Sequence, residues 1–295
     1  MENVLELIDL CKKYNKFELM DVSIKIPEGC VAGFIGLNGQ GKTTTIRTML
    51  GLSKKNSGTV KILGMDFDDN EKEIKDRIGI VFDEGYLYDG LKIKDMKNIV
   101  SNSYSRWDDV QYRKYMKKFN LDENQTISTL SKGMKMKFAL TLALSHNAEF
   151  LIMDEPTSGL DPLVRKELLN ILADFMESGG KGVLYSTHIT SDLDRFADII
   201  IFIDNGKIIF SEDKDYLLDT YVRVKGNNKY INDSVKRYFT SLEIGEYSFM
   251  GITKESGALK KLIPDMVIEK IVVEDLMLAF VEGKIGKTEV DKKIY

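Results

Sequence analysis

Gly36 to Thr44 reads G-L-N-G-Q-G-K-T-T, which holds the spacing G-x-x-x-x-G-K-T. No other stretch restricts the chain as much. It follows an apolar run, Val31-Ala32-Gly33-Phe34-Ile35, that reads as a buried strand, and it opens onto a helix-like stretch from Thr44 to Leu50. A strand, a glycine-rich turn and a helix in that order form a phosphate cradle. Glycines let successive backbone N–H groups turn toward phosphate oxygens. The helix N-terminus adds partial positive charge at the same place. Gly36, Leu37, Asn38, Gly39, Gln40 and Gly41 would line the cradle, with Thr44 at the helix start. Lys42 would reach the β- and γ-phosphates, and Thr43 would offer its hydroxyl to Mg2+.

The 295 residues suffice for one large domain and a small one. Net charge is −4, so nothing suggests a general affinity for nucleic acid or for an anionic membrane surface. Cys11 and Cys30 are the only cysteines, and His146 and His188 the only histidines. These are too few for a disulfide framework or a structural zinc site, and a reducing compartment is the easier reading. Glu2, Glu6 and Asp9 interrupt the N-terminus, which does not read as a signal peptide. The longest apolar run, Ile199 to Ile203, is far too short to cross a bilayer. If the protein acts at a membrane, another subunit supplies the membrane part.

Strands are expected within residues 4 to 35, where Val22-Ser23-Ile24-Lys25-Ile26 alternates cleanly. From Thr59 to Phe82 short strand and helix signals alternate. Lys94 to Leu144 reads as almost wholly helical, an insertion of about 86–146 within an α/β core. Phe150 to Met153 resumes the strands, followed by a helix from about Leu163 to Met176 and a strand at Gly182 to Tyr185. Ile199 to Ile203 and Lys207 to Phe210, split by Asp204-Asn205-Gly206, read as a hairpin. The core is expected to span 1–220. A small α/β appendage is expected over 221–283, with helices at Asp233 to Leu242, Ala258 to Leu262 and Val273 to Val281, and a frayed tail over 284–295.

Phe150 to Glu155 reads F-L-I-M-D-E: a buried strand with two carboxylates at its end. Strand ends beside a phosphate cradle are where metal and attacking water sit. Asp154 would hold Mg2+, directly or through water. Glu155 would polarise the water that attacks the γ-phosphate.

With these residues in place the chain resembles the ABC-type ATPases. Leu130-Ser131-Lys132-Gly133-Met134 is similar to the family signature L-S-G-G-Q. Ser158-Gly159-Leu160-Asp161 is similar to its D-loop, and Ser186-Thr187-His188 to its switch histidine. The resemblance covers residues 4 to about 218, with the motifs in family order. It implies an ABC-type P-loop ATPase fold: a RecA-like α/β subdomain, an N-terminal β subdomain and a helical signature subdomain, here with a small C-terminal α/β appendage. It implies that Tyr14 stacks on adenine and that Asp161 faces nucleotide. Ser131 and Gly133 would meet the γ-phosphate held by a second ATPase subunit, a copy of the chain or a paralogue.

Two departures stand out. Lys132 and Met134 replace a glycine and a glutamine of the signature. After the strand Ile78 to Val81 the family's usual glutamine is missing, and Asp83 is the register match. Its carboxylate is a good Mg2+ ligand but lacks the amide's donor. Together with the appendage, these departures are most similar to ATP-binding subunits of bacterial peptide exporters of the bacitracin, lantibiotic or phenol-soluble-modulin type.

That resemblance implies ATP and Mg2+ as cofactors, an integral-membrane permease as partner, and a cytoplasmic protein peripheral to the inner face of the cell membrane. Nucleic acid is not an expected partner. A soluble ABC mechanoenzyme is the alternative. Such proteins usually carry two ATPase cores or long coiled coils, and this chain has one core and a short insertion. A switch with little hydrolysis is disfavoured by the presence of both Glu155 and His188.

Overall fold

The computed structural model describes residues 2–83 and 87–291. The chain opens with β1 (Asn3–Lys13) and β2 (Glu18–Pro27), an antiparallel pair. Val22, Ile24 and Ile26 face inward while Ser23 and Lys25 face water, the period of two expected of a sheet with one wet face. Next come β3 (Cys30–Ile35), α1 (Lys42–Met49), β4 (Ser57–Ile62) and β5 (Met65–Asp66). Strands β2-β1-β4-β5 form one sheet in that order.

The chain continues through α2 (Phe67–Arg77), β6 (Ile78–Phe82), α3 (Ile93–Ser101), α4 (Asp109–Lys118), α5 (Lys132–Leu144) and β7 (Phe150–Asp154). It then runs through α6 (Pro162–Glu177), β8 (Gly182–Thr187), α7 (Thr190–Phe196), β9 (Ile199–Asp204) and β10 (Lys207–Asp213). A second sheet has the order β10-β9-β3-β8-β7-β6. The pairs from β9 through β3, β8 and β7 to β6 are parallel. Every residue of β7 and β8 is buried, as strands covered on both faces must be, which is why they read as unbroken apolar runs. One apolar core joins the two sheets through Leu5, Leu7, Phe34, Ile46 and Ile152.

The helical stretch between β6 and β7 comprises α3, α4 and α5. Asp108 caps α4 by accepting from Val110 N–H at 2.7 Å and Gln111 N–H at 3.1 Å. Ser131 caps α5, accepting from Met134 N–H at 3.2 Å.

Glu149, just before β7, ties this region to its surroundings. Its carboxylate takes a bidentate pair from Arg77 (2.8 Å each) and a further contact from Arg106 at 2.6 Å. These hydrogen bonds, Arg77 first, hold its carboxyl down at about 2. A depressed carboxyl stabilises the fold fully above its unfolded value of 4.5 and loses that contribution as pH falls toward 2. Glu149→Gln is therefore expected to cost about 1 kcal/mol near neutral pH, after allowance for solvent screening. The difference from wild type should shrink as pH falls below 4.5. Urea unfolding at several pH values checks this; a difference that does not change with pH would contradict it.

Contacts divide the chain into Met1–Asp192 with Phe196–Ser211, and a second unit of Leu193–Arg195 with Glu212 onward. The second unit contains α8 (Lys214–Thr220), β11 (Val222–Asn227), α9 (Asp233–Lys236), β12 (Ser241–Ile244), β13 (Ser248–Thr253), α10 (Ser256–Leu262), β14 (Val267–Glu269) and α11 (Val273–Asp291). Its antiparallel sheet has the order β12-β13-β11-β14, over a core of Val224, Val235, Phe249, Leu259, Ile263 and Met266. The division falls before α8 rather than after it. Asp194 explains the placement, because its carbonyl accepts from Lys214 Nζ and its carboxylate from Val273 N–H, each at 3.0 Å.

The helix expected over Asp233 to Leu242 is corrected. Only Asp233–Lys236 is α-helical, and Ser241–Ile244 is a strand paired with β13. Gly251 decides this locally. Any side chain there would strike the Phe239 ring at 2.5 Å, so the ring fills that space against Phe249 and the chain leaves the helix to reach β13. Of the tail expected to fray, α11 carries the backbone to Asp291, and residues 292–295 lie outside the described ones.

Candidate functional site

The carboxyl ends of β3, β7 and β8 are neighbours in the second sheet, and they lead into Gly36, Glu155 and His188. Open parallel sheets bind ligands at such ends.

From β3 the chain enters the glycine loop. Gly36 packs so closely on β9 that a Cβ would lie 2.6 Å from the Ile203 carbonyl oxygen. Gly41 has φ +117°, a left-handed conformation that glycine adopts without strain, and precedes Lys42, the first residue of α1. The loop is braced by the β9–β10 turn: Gln40 Oε1 accepts from Asn205 N–H at 2.6 Å and Gln40 O from Gly206 N–H at 3.0 Å. Lys42 is buried. Its ammonium folds back over the loop and donates to Gly36 O at 2.6 Å. Leu37, Asn38 and Gly39 are exposed at the crest, as is Thr43 at the helix start, and Thr44 is half-buried.

From β7 come the carboxylates. Asp154 is buried, and neither its Oδ1 nor the nearby Ser186 Oγ makes a well-formed hydrogen bond. Burial pushes the Asp154 carboxyl upward, against the opposing effect of the Thr43 and Ser186 hydroxyls. An orphaned acid oxygen beside two hydroxyls suits a hard divalent cation, so these residues fit Mg2+. Among the described residues no group of three or more His, Cys, Asp or Glu could hold a metal alone. A Mg2+ ion here would share its shell with phosphate oxygens and water.

Glu155 follows at φ +52°, an unusual left-handed conformation for a side-chain-bearing residue. That turn aims its carboxylate back over the strand ends. Oε1 lies 3.1 Å from Lys42 Nζ. Oε2 accepts from His188 N–H at 3.2 Å and lies 2.7 Å from His188 Nδ1. The structure thus gathers Lys42, from the start of α1, and His188, just after β8, around the Glu155 carboxylate. Such a group can hold phosphate charge and take a proton from water.

The remaining residues lie in two places. Tyr14, at the end of β1, is half exposed, with its hydroxyl 2.7 Å from Ser53 Oγ and Lys12 Nζ 4.8 Å from its ring centroid. Asp161 caps α6, accepting from Leu163 and Val164 N–H at 3.0 Å, and Ser131 caps α5. Gly133 faces Val164 and Leu160, so the signature and the D-loop pack side by side. Below the D-loop, Thr157 and Tyr185 both donate to Asp192 Oδ2, at 2.9 and 3.2 Å, in a buried network. Asp83, expected to ligate Mg2+, has its Oδ1 2.7 Å from Lys132 Nζ.

Sequence reasoning missed Ser186 and the brace from Asn205 and Gly206. Ser186 reads as a spacer before His188, and only the β7–β8 pairing of Asp154 with Ser186 brings it to the acid.

Fold and site together define an ATP-binding cassette with a P-loop. The chain matches the ABC transporter family over residues 19–158. It is 32% identical over 243 residues to the bacitracin transport ATP-binding protein of Bacillus licheniformis, covering 78% of this chain and 74% of that one. It is 32% identical over 215 residues to the lantibiotic transport ATP-binding protein of Streptococcus pyogenes, covering 72% and 92%. A solved ATP-binding subunit of an ABC transporter superposes with a TM-score of 0.66 at 27% identity, over 73% of this chain and 92% of that one. The chain belongs to the ATP-binding proteins of ABC transporters, and it is an ATPase of that family. No helix among the described residues is long and apolar enough to cross a membrane.

Proposed function

We propose that the protein is the ATP-hydrolysing subunit of a bacterial ABC exporter that moves a peptide or another amphipathic, antimicrobial compound. The observation that carries the catalytic part is the Glu155 carboxylate, placed between Lys42 Nζ at 3.1 Å and His188 Nδ1 at 2.7 Å. The backbone N–H groups of residues 36 to 44 and Lys42 bind the phosphates. Tyr14 stacks on adenine. Glu155 accepts the proton of the attacking water, and His188 orients that carboxylate. Thr43 and Asp154 would hold Mg2+, which neutralises phosphate charge when bound.

Each site is completed by a second ATPase subunit, this chain again or a paralogue. Ser131 and Gly133 of one close over the nucleotide of the other, with Asp161 nearby. ATP favours the closed pair through its γ-phosphate, and hydrolysis reopens it. A separate permease on the inner face of the membrane converts closing and opening into transport. The likeness to bacitracin and lantibiotic transport proteins supports the substrate class.

Inverted vesicles carrying this chain and its permease test the reading. They are expected to accumulate a labelled amphipathic antimicrobial peptide with ATP. Vesicles made with Glu155→Gln are expected not to. Equal accumulation in the two would overturn the proposal.

A further inference from the structure

Lys132 and Asp83 are two of the three points at which this chain departs from the family motifs named above, and the fold brings them together. Lys132 Nζ lies 2.7 Å from Asp83 Oδ1. That oxygen is shut off from solvent and makes no hydrogen bond, so the ammonium is its counter-charge. The lysine reaches it by lying over the D-loop. A Cβ at Gly159, where φ is +68°, would touch Lys132 Nζ, Cδ and Cε at 3.5 to 3.8 Å. Signature, D-loop and the end of β6 meet at this one side chain.

The local sequence argues that the contact has a purpose. Lys132 is the first residue of α5, whose first turn contains no acid. A cation there opposes the helix dipole, so the helix itself gains nothing from it. Lys135, in the same turn, pairs with Asp89 at 2.6 Å. Two lysines of one helix start therefore face two carboxylates that follow β6.

We propose that Lys132 is a positioning residue, tying the signature loop to the end of β6 through Asp83, so that the two departures compensate each other and Asp83 serves the signature rather than the metal. The ion pair supplies a charge-assisted link between the two segments. The pair is half exposed, so its contribution lies in setting the position of Ser131 and Gly133, not in global stability. Its kinetic consequence rests on the ATPase reading above.

A double-mutant cycle on the full chain tests the proposal, with Lys132→Ala, Asp83→Ala, the double variant and Lys132→Arg. Two readouts are taken: steady-state ATPase with separate ATP and Mg2+ titrations, and amide hydrogen exchange of residues 131 to 134 without nucleotide. Each alanine variant is expected to lose about five-fold in kcat, the upper range for a half-exposed pair. KM for ATP and the Mg2+ half-saturation should stay at wild-type values. The double variant should lose no more than either single one. Lys132→Arg should retain wild-type turnover. Exchange at 131 to 134 should quicken equally in the three alanine variants. Additive losses, a Mg2+ half-saturation that moves with Asp83→Ala, or unchanged exchange would each overturn the tie. If the wild type hydrolyses no ATP, the ATPase reading fails while the exchange cycle still decides the pairing.

Discussion

Glu155→Gln is expected to lower ATP turnover by at least about a hundred-fold while leaving ATP affinity within about three-fold of wild type. The glutamine keeps the shape of the side chain, and its one oxygen can accept from Lys42 or from His188 N–H. It loses the ability to take a proton. In the structure both oxygens of Glu155 are engaged, one by Lys42 and one by His188, so the carboxylate is held in place rather than left to sample rotamers. A general base so fixed contributes about 10² to 10⁴ in rate. Because binding survives and turnover does not, the ATP-bound closed pair should accumulate and run at twice the subunit mass on gel filtration. A variant that hydrolyses at the wild-type rate would place the base elsewhere.

Lys42→Ala is expected to weaken ATP binding by about ten- to a hundred-fold, the range for losing a charge-assisted phosphate contact in a closed site. The lysine is buried, so its charge acts on the phosphates with little screening by water. Its removal has a second effect. Gly36 O loses a donor, and Glu155 Oε1 loses its cation, which leaves a carboxylate facing the phosphates. The two losses act in the same direction. Isothermal titration reads the affinity, and a thermal melt verifies that the core remains folded. Unchanged affinity in a folded variant would remove the loop from the site.

What was legible in the sequence was local. The glycine loop reads directly because a tight turn demands glycine at particular positions, and Gly36 and Gly41 meet that demand here. The carboxylate pair reads directly because β7 is an unbroken apolar run that ends where the acids begin. The hairpin of β9 and β10 announced itself through Asn205-Gly206, both with positive φ. Non-local facts were not legible. Asp83 reads as a metal ligand because it follows a strand beside the cradle, and no local pattern shows that α5 brings Lys132 to it. Ser186 acquires its place only through strand pairing. Residues 233 to 242 carry apolar side chains at spacings that suit a helix, but the pairing of Leu242 with Gly251 outweighs that preference. Lys214 and Val273 join Asp194 across long stretches of chain, which no local pattern reveals.

The most direct test of the central claim is phosphate release from ATP by the purified chain, followed with Mg2+ present and again with the metal chelated. The account predicts steady release that requires Mg2+ and falls to background in Lys42→Ala and Glu155→Gln. Release that is equal with and without Mg2+, or that both variants retain, would contradict it.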